Sequence, residues 1–374
     1  MKKIVFSLFL LATLLSAVSS SGQPGLYIIS GHAPPSKDSK RVTLYVFDPI
    51  SQEKSLTAMA AANADGSFRL GYPFKGPELY AIKLPGGEQV MLAIDEGQKN
   101  VVLNVGENGD SIEISGSPDS EKLLGYDRFR VESNRRLVRP TYAAMKSAGD
   151  AGGKLAEIEA VAAYARASEQ HRRELLDYTA EHIGTSIALY GTVLRWTGDD
   201  EVTRLEKLVN DFAAAHPDLK MTQVMLGKVA RFKKVAIGAP APPIVEAGKN
   251  GSSLSLYDAK GKVTLIDFWA SWCGPCLHQI PGLKEAYAAY HDKGFEIFGV
   301  SVDSKKDRWT GAIEKYGMVW PNVSDLKGWG SKVAADYNVT FVPFNMLIDA
   351  DGTIIAKNLH GKALQSKLAE LLDK

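Results

Sequence analysis

Between residues 25 and 115, apolar and polar residues alternate with a period of two. This alternation is typical of β-strands with one buried face, and clusters of Gly, Pro, Asn and Asp between the apolar runs indicate turns. The alternating segments are residues 42–46, 90–94, 101–105 and 112–114. Short strands at this spacing predict a small antiparallel β-sandwich.

From about Ser117 the apolar positions recur every three or four residues, which is typical of amphipathic helices. Beyond residue 118, Pro140 and Pro217 are the only prolines before the segment ends near residue 234, so we expect it to be all-helical. His171 and His182 would lie roughly on one face, but no other metal-ligating residues cluster around them. A helix surface therefore explains these histidines better than a metal site does.

The proline-rich segment 238–243 then predicts a stiff extended linker or the start of a new domain. Behind it, near-continuous apolar strands alternate with helices, a pattern that predicts a central sheet covered on both faces. The expected strands are residues 263–269, 295–302, 344–348 and 353–355, and the expected helices are 274–291, 306–316 and 363–372.

The first residues of the chain predict export. Lys2 and Lys3 precede an apolar run over residues 4–15, and small residues follow up to Gly22, which is the order of a secretory signal peptide. The run is short for a membrane span, so a cleaved signal over residues 1–22 is favoured over a permanent anchor. With 45% hydrophobic and 23% charged residues the composition is ordinary for a globular protein, and a net charge of +1 without a dense basic patch argues against nucleic acid as a partner.

Cys273 and Cys276 are the only two cysteines, and they form one Cys-x-x-Cys motif directly behind an expected buried strand. In an oxidising compartment such a pair is either a disulfide or is kept reduced, which indicates a redox site. Cys273 is expected at the exposed start of a helix, where the helix dipole stabilises a thiolate. Cys276, one turn further and more buried, would attack the mixed disulfide that Cys273 forms with a substrate. Pro275 suits the first helical turn.

Other chemistry fits this motif less well. Structural zinc would need two further Cys or His ligands, and His278 alone would have poor geometry with both thiols. A c-type haem site needs His directly after the second cysteine, where this chain has Leu277. We therefore expect no metal and no organic cofactor. A peroxiredoxin-like peroxidase, or a ligand-binding protein with a vestigial redox module, remains as an alternative.

The stretch 267–276, Asp-Phe-Trp-Ala-Ser-Trp-Cys-Gly-Pro-Cys, resembles the active-site signature of the thioredoxin superfamily. Pro281 and the pair Val342-Pro343, which is cis in the family, match as well. Over residues 236–374 the chain resembles the TlpA/ResA-like thiol-disulfide oxidoreductases, and the β-rich region resembles the DUF4369 type. The expected parts are a signal peptide (1–22), a β-rich domain (23–116), a helical region (117–235) and an α/β thioredoxin-fold domain (236–374).

This resemblance implies roles for several residues. Pro343 would join the two cysteines in the catalytic site. The expected contacts for a substrate are Trp272, Gly274, Pro275 and Val342. Many members carry Glu at the position of Gln279, whereas this chain has an acid within the strand, so Asp267 is the expected proton acceptor for Cys276.

The resemblance also implies partners. Substrates would be disulfide-containing proteins of the periplasm, as in cytochrome c maturation, and electrons would come from a membrane thiol reductant of the DsbD/CcdA kind. That donor would be the only link to the membrane. The Gly-Pro pair between the cysteines favours a reductase. Val342 also occurs in exported oxidases, so thiol oxidation or isomerisation is the alternative direction.

Overall fold

The protein is described by a computed structural model, which covers residues 25–34, 36, 39–107, 109, 111–150, 154–196 and 201–373. The signal peptide expected over residues 1–22 lies outside the described residues. Along the described chain a strand-rich region, a helical segment and a mixed α/β region follow one another, as the sequence predicts. Among these residues no helix is both long enough and apolar enough to cross a lipid bilayer.

The described strands before residue 116 form two four-stranded sheets. They are β1 (Leu26–His32), β2 (Arg41–Phe47), β3 (Lys54–Ala61), β4 (Ser67–Pro73), β5 (Glu78–Lys83), β6 (Gln89–Ile94), β7 (Asn100–Val105) and β8 (Ile112–Ser115). The strand orders are β4-β1-β7-β8 and β3-β2-β5-β6. Apolar side chains of both sheets, such as Ile29, Leu44, Leu92 and Leu103, share one core.

One strand pair in this region differs from the prediction. The pairs of the second sheet are antiparallel, but β1 and β7 in the first sheet run parallel, with Ile28 opposite Asn100. The prediction of a purely antiparallel arrangement is therefore wrong. Alternation along a strand records which face is buried and carries no information on the direction of its neighbour.

The helical segment packs around a second core. Its helices in the described residues are α1 (Pro118–Ser133), α2 (Arg139–Asp150), α3 (Lys154–Tyr178), α4 (Ala188–Thr192), α5 (Val202–Ala215) and α6 (Lys220–Lys233). Single turns of π-helix follow α1 and α3, at Asn134–Val138 and Thr179–Ile183. Leu79 and Ala93 from the strands belong to this same core, so the sheet and the helices bury apolar surface together.

Buried hydroxyl groups join the strands to the first helix. Ser117 is the N-cap of α1, and its Oγ accepts a hydrogen bond from the Ser120 N–H at 3.2 Å. The hydroxyls of Ser117 and Ser120 also lie 2.9 and 2.8 Å from the Ala93 carbonyl oxygen in β6. Asp119 accepts a hydrogen bond from Ser186, which precedes α4. These bonds fix the start of α1 on the sheet.

The rest of the chain forms the mixed α/β region. Its elements are β9 (Val245–Ala247), β10 (Ser253–Ser255), α7 (Leu256–Ala259), β11 (Val263–Trp269), α8 (Gly274–Tyr290), β12 (Phe295–Ser301), α9 (Lys306–Tyr316), β13 (Asn322–Val323), α10 (Lys332–Asp336), β14 (Phe344–Asp349), β15 (Ile354–Lys357) and α11 (Lys362–Leu372). The main sheet has the order β13-β12-β11-β14-β15 and lies within a third, separate core. The long apolar strands and the helices at 306–316 and 363–372 lie where the sequence predicts them, to within one or two residues.

The proline-rich segment before this region is bonded to the sheet. Gly238 donates its N–H to the Ile354 carbonyl oxygen at 2.8 Å, and Ile354 donates back to Ala239 at 2.9 Å. Ala241 donates to the Gly352 carbonyl oxygen at 2.9 Å. The segment is thus the start of the α/β region rather than a free linker, and it covers the outer side of the turn into β15.

Candidate redox site

Strand β11 carries the chain into the site. All seven of its residues are buried, and it pairs with β12 in parallel and with β14 in antiparallel orientation. A strand covered on both faces holds apolar side chains at nearly every position, and Asp267 is the charged exception here. Because β11 ends at Trp269 and α8 begins at Gly274, Cys273 falls at the end of a short connection, immediately before the helix.

Cys273 and Cys276 form a disulfide bond across the first turn of α8. Cys273 is the N-cap residue, and its Sγ accepts a hydrogen bond from the Cys276 N–H at 3.2 Å. Free N–H groups at a helix start favour negative charge, so this position stabilises a Cys273 thiolate after reduction. Gly274 and Pro275 form the exposed first turn, where the missing N–H of proline costs little.

The two cysteines do not differ in exposure as the sequence predicts. Cys273 is 5% exposed and Cys276 is 4% exposed, so the expectation of an exposed first cysteine is wrong for the oxidised protein. Both side chains belong to the core of the α/β region, and the bond between them holds their sulfur atoms together. The position at the helix start, and not accessibility, therefore distinguishes Cys273 from Cys276.

Asp267 is buried in the middle of β11, 7% exposed, opposite Gly299 on one side and Asn345 on the other. Burial disfavours the charged form and raises the pKa of this carboxyl group to about 7. Among the described residues, none forms a hydrogen bond or an ion pair with the carboxylate that would offset this effect. A group with this pKa can take up and release a proton near neutral pH.

The loop before β14 provides the expected proline. The Val342-Pro343 peptide bond is cis, and Val342 packs against the core that contains both cysteines. Trp272, directly before Cys273, is half exposed. Trp269 is instead a core residue, since it is 2% exposed and donates its Nε1–H to the Asn322 Oδ1 at 3.0 Å.

A polar cluster that the sequence analysis missed joins α8 to β14 through His360. His360 Nδ1 is 3.1 Å from Oε1 of Gln279 and 3.3 Å from Nδ2 of Asn345. Burial lowers the pKa of His360 to about 4, so the ring is neutral at neutral pH. Gln279 follows Cys276 by one helical turn, and Asn345 is the cross-strand neighbour of Asp267. No sequence signal links His360 to this motif, because 81 residues separate it from Gln279.

A second missed residue is Asp303, which follows β12 and is 1% exposed. Its carboxylate accepts hydrogen bonds from the N–H and the Oγ–H of Ser271, at 2.8 and 2.7 Å, and from Ser301 Oγ at 2.8 Å. Its backbone carbonyl accepts the Gly328 N–H at 3.4 Å. Asp303 thereby ties the connection that carries Cys273 to the end of β12 and to the segment that contains Gly328. The signal in the sequence was an acid directly after a buried strand.

The histidines considered as ligands lie elsewhere. His278 is exposed on α8, His171 Nδ1 is 2.8 Å from Ser133 Oγ, and the His182 ring packs on Tyr178. In the part of the chain that the structure describes, no group of three or more His, Cys, Asp or Glu side chains is placed to hold a metal ion.

A disulfide that closes the first turn of a helix, directly behind the inner strand of a mixed sheet, places this region in the class of thioredoxin-fold proteins that exchange thiols and disulfides. The Redoxin family model matches residues 236–372. ResA, a thiol-disulfide oxidoreductase of Bacillus cereus, is 32% identical over 148 residues, which cover 40% of this chain and 83% of ResA. ResA of Bacillus subtilis is 28% identical over 141 residues, which cover 38% and 76%.

The chain therefore belongs to the ResA-like thiol-disulfide oxidoreductases of the thioredoxin superfamily, and it is an oxidoreductase. A solved structure is also similar, the thioredoxin domain of a thiol-disulfide oxidoreductase from Bacteroides vulgatus. It is 37% identical and has a TM-score of 0.35, and the match covers 37% of this chain and 98% of that domain. The residues that the Redoxin model matches, 236–372, lie in the C-terminal part of the chain.

Asp267→Asn is expected to raise the free energy of unfolding at pH 8 and to leave it nearly unchanged near pH 4. The carboxyl pKa is 3.8 in an unperturbed state and about 7 in the fold, so the folded protein binds the extra proton between these values. The wild type therefore loses stability as the pH rises through this range, by roughly 4 kcal/mol at 1.36 kcal/mol per pH unit. Asn carries no charge and avoids this loss.

Denaturant unfolding of both oxidised proteins from pH 4 to pH 8 measures the effect. Asp292→Asn, at an exposed position behind α8, is the matched control and should follow the wild-type curve. Parallel curves for wild type and Asp267→Asn would show that the Asp267 pKa is not raised.

Proposed function

We propose that this protein is exported to the periplasm and reduces disulfide bonds in partner proteins there. The observation that carries the proposal is the Cys273–Cys276 disulfide at the start of α8, with the Cys276 N–H directed at the Cys273 sulfur. The signal-like residues 1–22 support export. The proposed mature chain comprises a β-rich domain (23–116, DUF4369-like), a helical region (117–235) and the redox domain (236–374).

The proposed cycle begins with the reduced dithiol. The Cys273 thiolate attacks one sulfur of the substrate disulfide, a mixed disulfide forms, and the other substrate sulfur leaves as a thiolate that takes up a proton. Cys276 then loses its proton to the Asp267 carboxylate and attacks the Cys273 sulfur. This step releases the second substrate thiol and regenerates the Cys273–Cys276 disulfide. The substrate gains two electrons and the enzyme loses two.

Another dithiol must return the two electrons to the enzyme. We propose a membrane thiol reductant of the DsbD/CcdA type as this donor, and cytochrome c maturation as one process that would use the reduced products. Pro343 would contact the substrate next to the sulfur atom that is bound to Cys273. The rest of the substrate chain would contact Trp272, Gly274, Pro275 and Val342. The exposure of Trp272, Gly274 and Pro275 supports these roles.

The first prediction from the proposed function concerns the roles of the two cysteines. Cys276→Ser should accumulate mixed disulfides between Cys273 and substrates, because no thiol remains to resolve them. Cys273→Ser should not, since it lacks the thiolate that the helix start stabilises. Non-reducing electrophoresis of periplasmic extracts, followed by mass spectrometry of the adducts, measures both. The double variant is the background control, and trapping by Cys273→Ser in place of Cys276→Ser would reverse the assignment.

The second prediction concerns the proton acceptor. Asp267→Ala should slow reduction of a small disulfide near pH 7 by about a hundredfold, the usual contribution of a general base. Asp267→Asn keeps the side-chain volume and should be equally slow, which separates loss of the base from a cavity. Stopped-flow single-turnover rates from pH 5 to pH 9 measure this effect. Wild-type rates for both variants at every pH would refute the role of Asp267.

The third prediction concerns the direction of electron flow. The residues between the cysteines, Gly274 and Pro275, are those of thioredoxin, and no histidine is present there to stabilise the thiolate further. We therefore expect a reduction potential nearer to that of thioredoxin, about −270 mV, than to that of DsbA, about −120 mV. Equilibration with glutathione redox buffers gives the value. A potential close to that of DsbA would make the protein an oxidase.

A further inference from the structure

Two of the six tryptophans are exposed side by side next to the disulfide. Trp272 is 52% exposed and Trp329 is 50% exposed. The other four, Trp196, Trp269, Trp309 and Trp320, are all buried. Indole rings bury large apolar areas in cores and at interfaces, so an adjacent exposed pair indicates a contact surface.

The two rings form one surface. Their centroids are 6.2 Å apart and their planes are inclined by 59°, within the range of favourable aromatic pairs. Trp272 immediately precedes Cys273 in the sequence, whereas Trp329 lies on a short helical turn, Gly328–Gly330, between β13 and α10. A polypeptide that brings a sulfur atom to Cys273 would therefore meet Trp272 directly beside the cysteine, and Trp329 next to it.

The backbone next to each of these two tryptophans is also held in place, by hydrogen bonds to Asp303. Asp303 accepts two hydrogen bonds from Ser271, the neighbour of Trp272, and its carbonyl accepts the N–H of Gly328, the neighbour of Trp329. Ser331 then caps the next helix through the Ala334 N–H. One buried residue thus anchors the backbone of both tryptophans, so that little ordering remains to be done when a substrate binds.

We propose that Trp272 and Trp329 together bind a bulky apolar side chain next to the reacting cysteine of a substrate polypeptide, and that Trp329 thereby determines substrate choice. This inference rests on the proposed function, because it assumes that a polypeptide disulfide reaches Cys273. Tryptophans of this kind carry much of the affinity at protein interfaces. The occupant is an apolar or aromatic side chain because two indole rings offer it stacking surface.

The test compares two oxidised peptides that differ in one residue beside the cysteine, Phe in one and Ser in the other. The wild type should prefer the Phe peptide in kcat/KM. In Trp329→Ala this preference should fall about tenfold, equivalent to about 1.4 kcal/mol, mainly through KM. Trp329→Phe should retain most of it. Tyr142→Ala removes an equally exposed aromatic ring from α2, outside the site, and is the matched control.

The possible outcomes distinguish a failure of this inference from a failure of the proposed function. If the wild type reduces neither peptide, the proposed function itself fails. If it reduces both without preference, or if Trp329→Ala keeps the wild-type preference, the reductase stands and the inference is overturned. Sedimentation of wild type and Trp329→Ala completes the test, since a change in self-association would assign the tryptophan pair to a contact between copies and would likewise overturn it.

Discussion

The complete burial of strand β11 is the constraint on which the redox site depends. With paired strands on either side and cover on both faces, the strand has no freedom to shift, and the connection that follows Trp269 must start α8 at a fixed point. Cys273 is placed at the helix N-cap for that reason. The same burial acts on Asp267, because the charged form of a carboxyl group is disfavoured in an apolar layer and its pKa is therefore raised. The position of Cys273 and the raised proton affinity of Asp267 thus both follow from the burial of β11.

The sequence predicted best those parts of the structure that depend on local pattern. The apolar run over β11, the Cys-x-x-Cys motif and the helix behind it could be placed because strand and helix periods are visible over ten to twenty residues. The parallel pairing of β1 with β7 could not be predicted, since strand direction is decided by contacts far apart in the sequence. The near-equal burial of Cys273 and Cys276 also depends on the folded surroundings, which the motif does not encode.

Long-range polar contacts were the other limit. His360 reaches Gln279 across 81 residues, and Asp303 binds Ser271 across 32, so neither contact leaves a periodic trace in the sequence. Both nevertheless involve a residue close to the motif in the sequence, since Gln279 lies three positions after Cys276 and Ser271 two positions before Cys273. The motif identified the two reacting cysteines. The polar contacts of their sequence neighbours, Gln279 and Ser271, are formed only in the folded chain. The strand-rich and helical parts share a core of their own, which contains Leu79 and Ala93 and no residue of the redox core.

The backbone bonds between Gly238–Ala241 and Gly352–Ile354 have a consequence for the solubility of the redox domain. Strand β15 is the last strand of its sheet, and its outer side would otherwise present free N–H and C=O groups to other chains. Pro240, which has no N–H to donate, lies opposite Thr353 in this cover. The proline-rich segment therefore blocks pairing with another chain at the start of this edge strand, and a domain that began after Ala241 would lose these bonds.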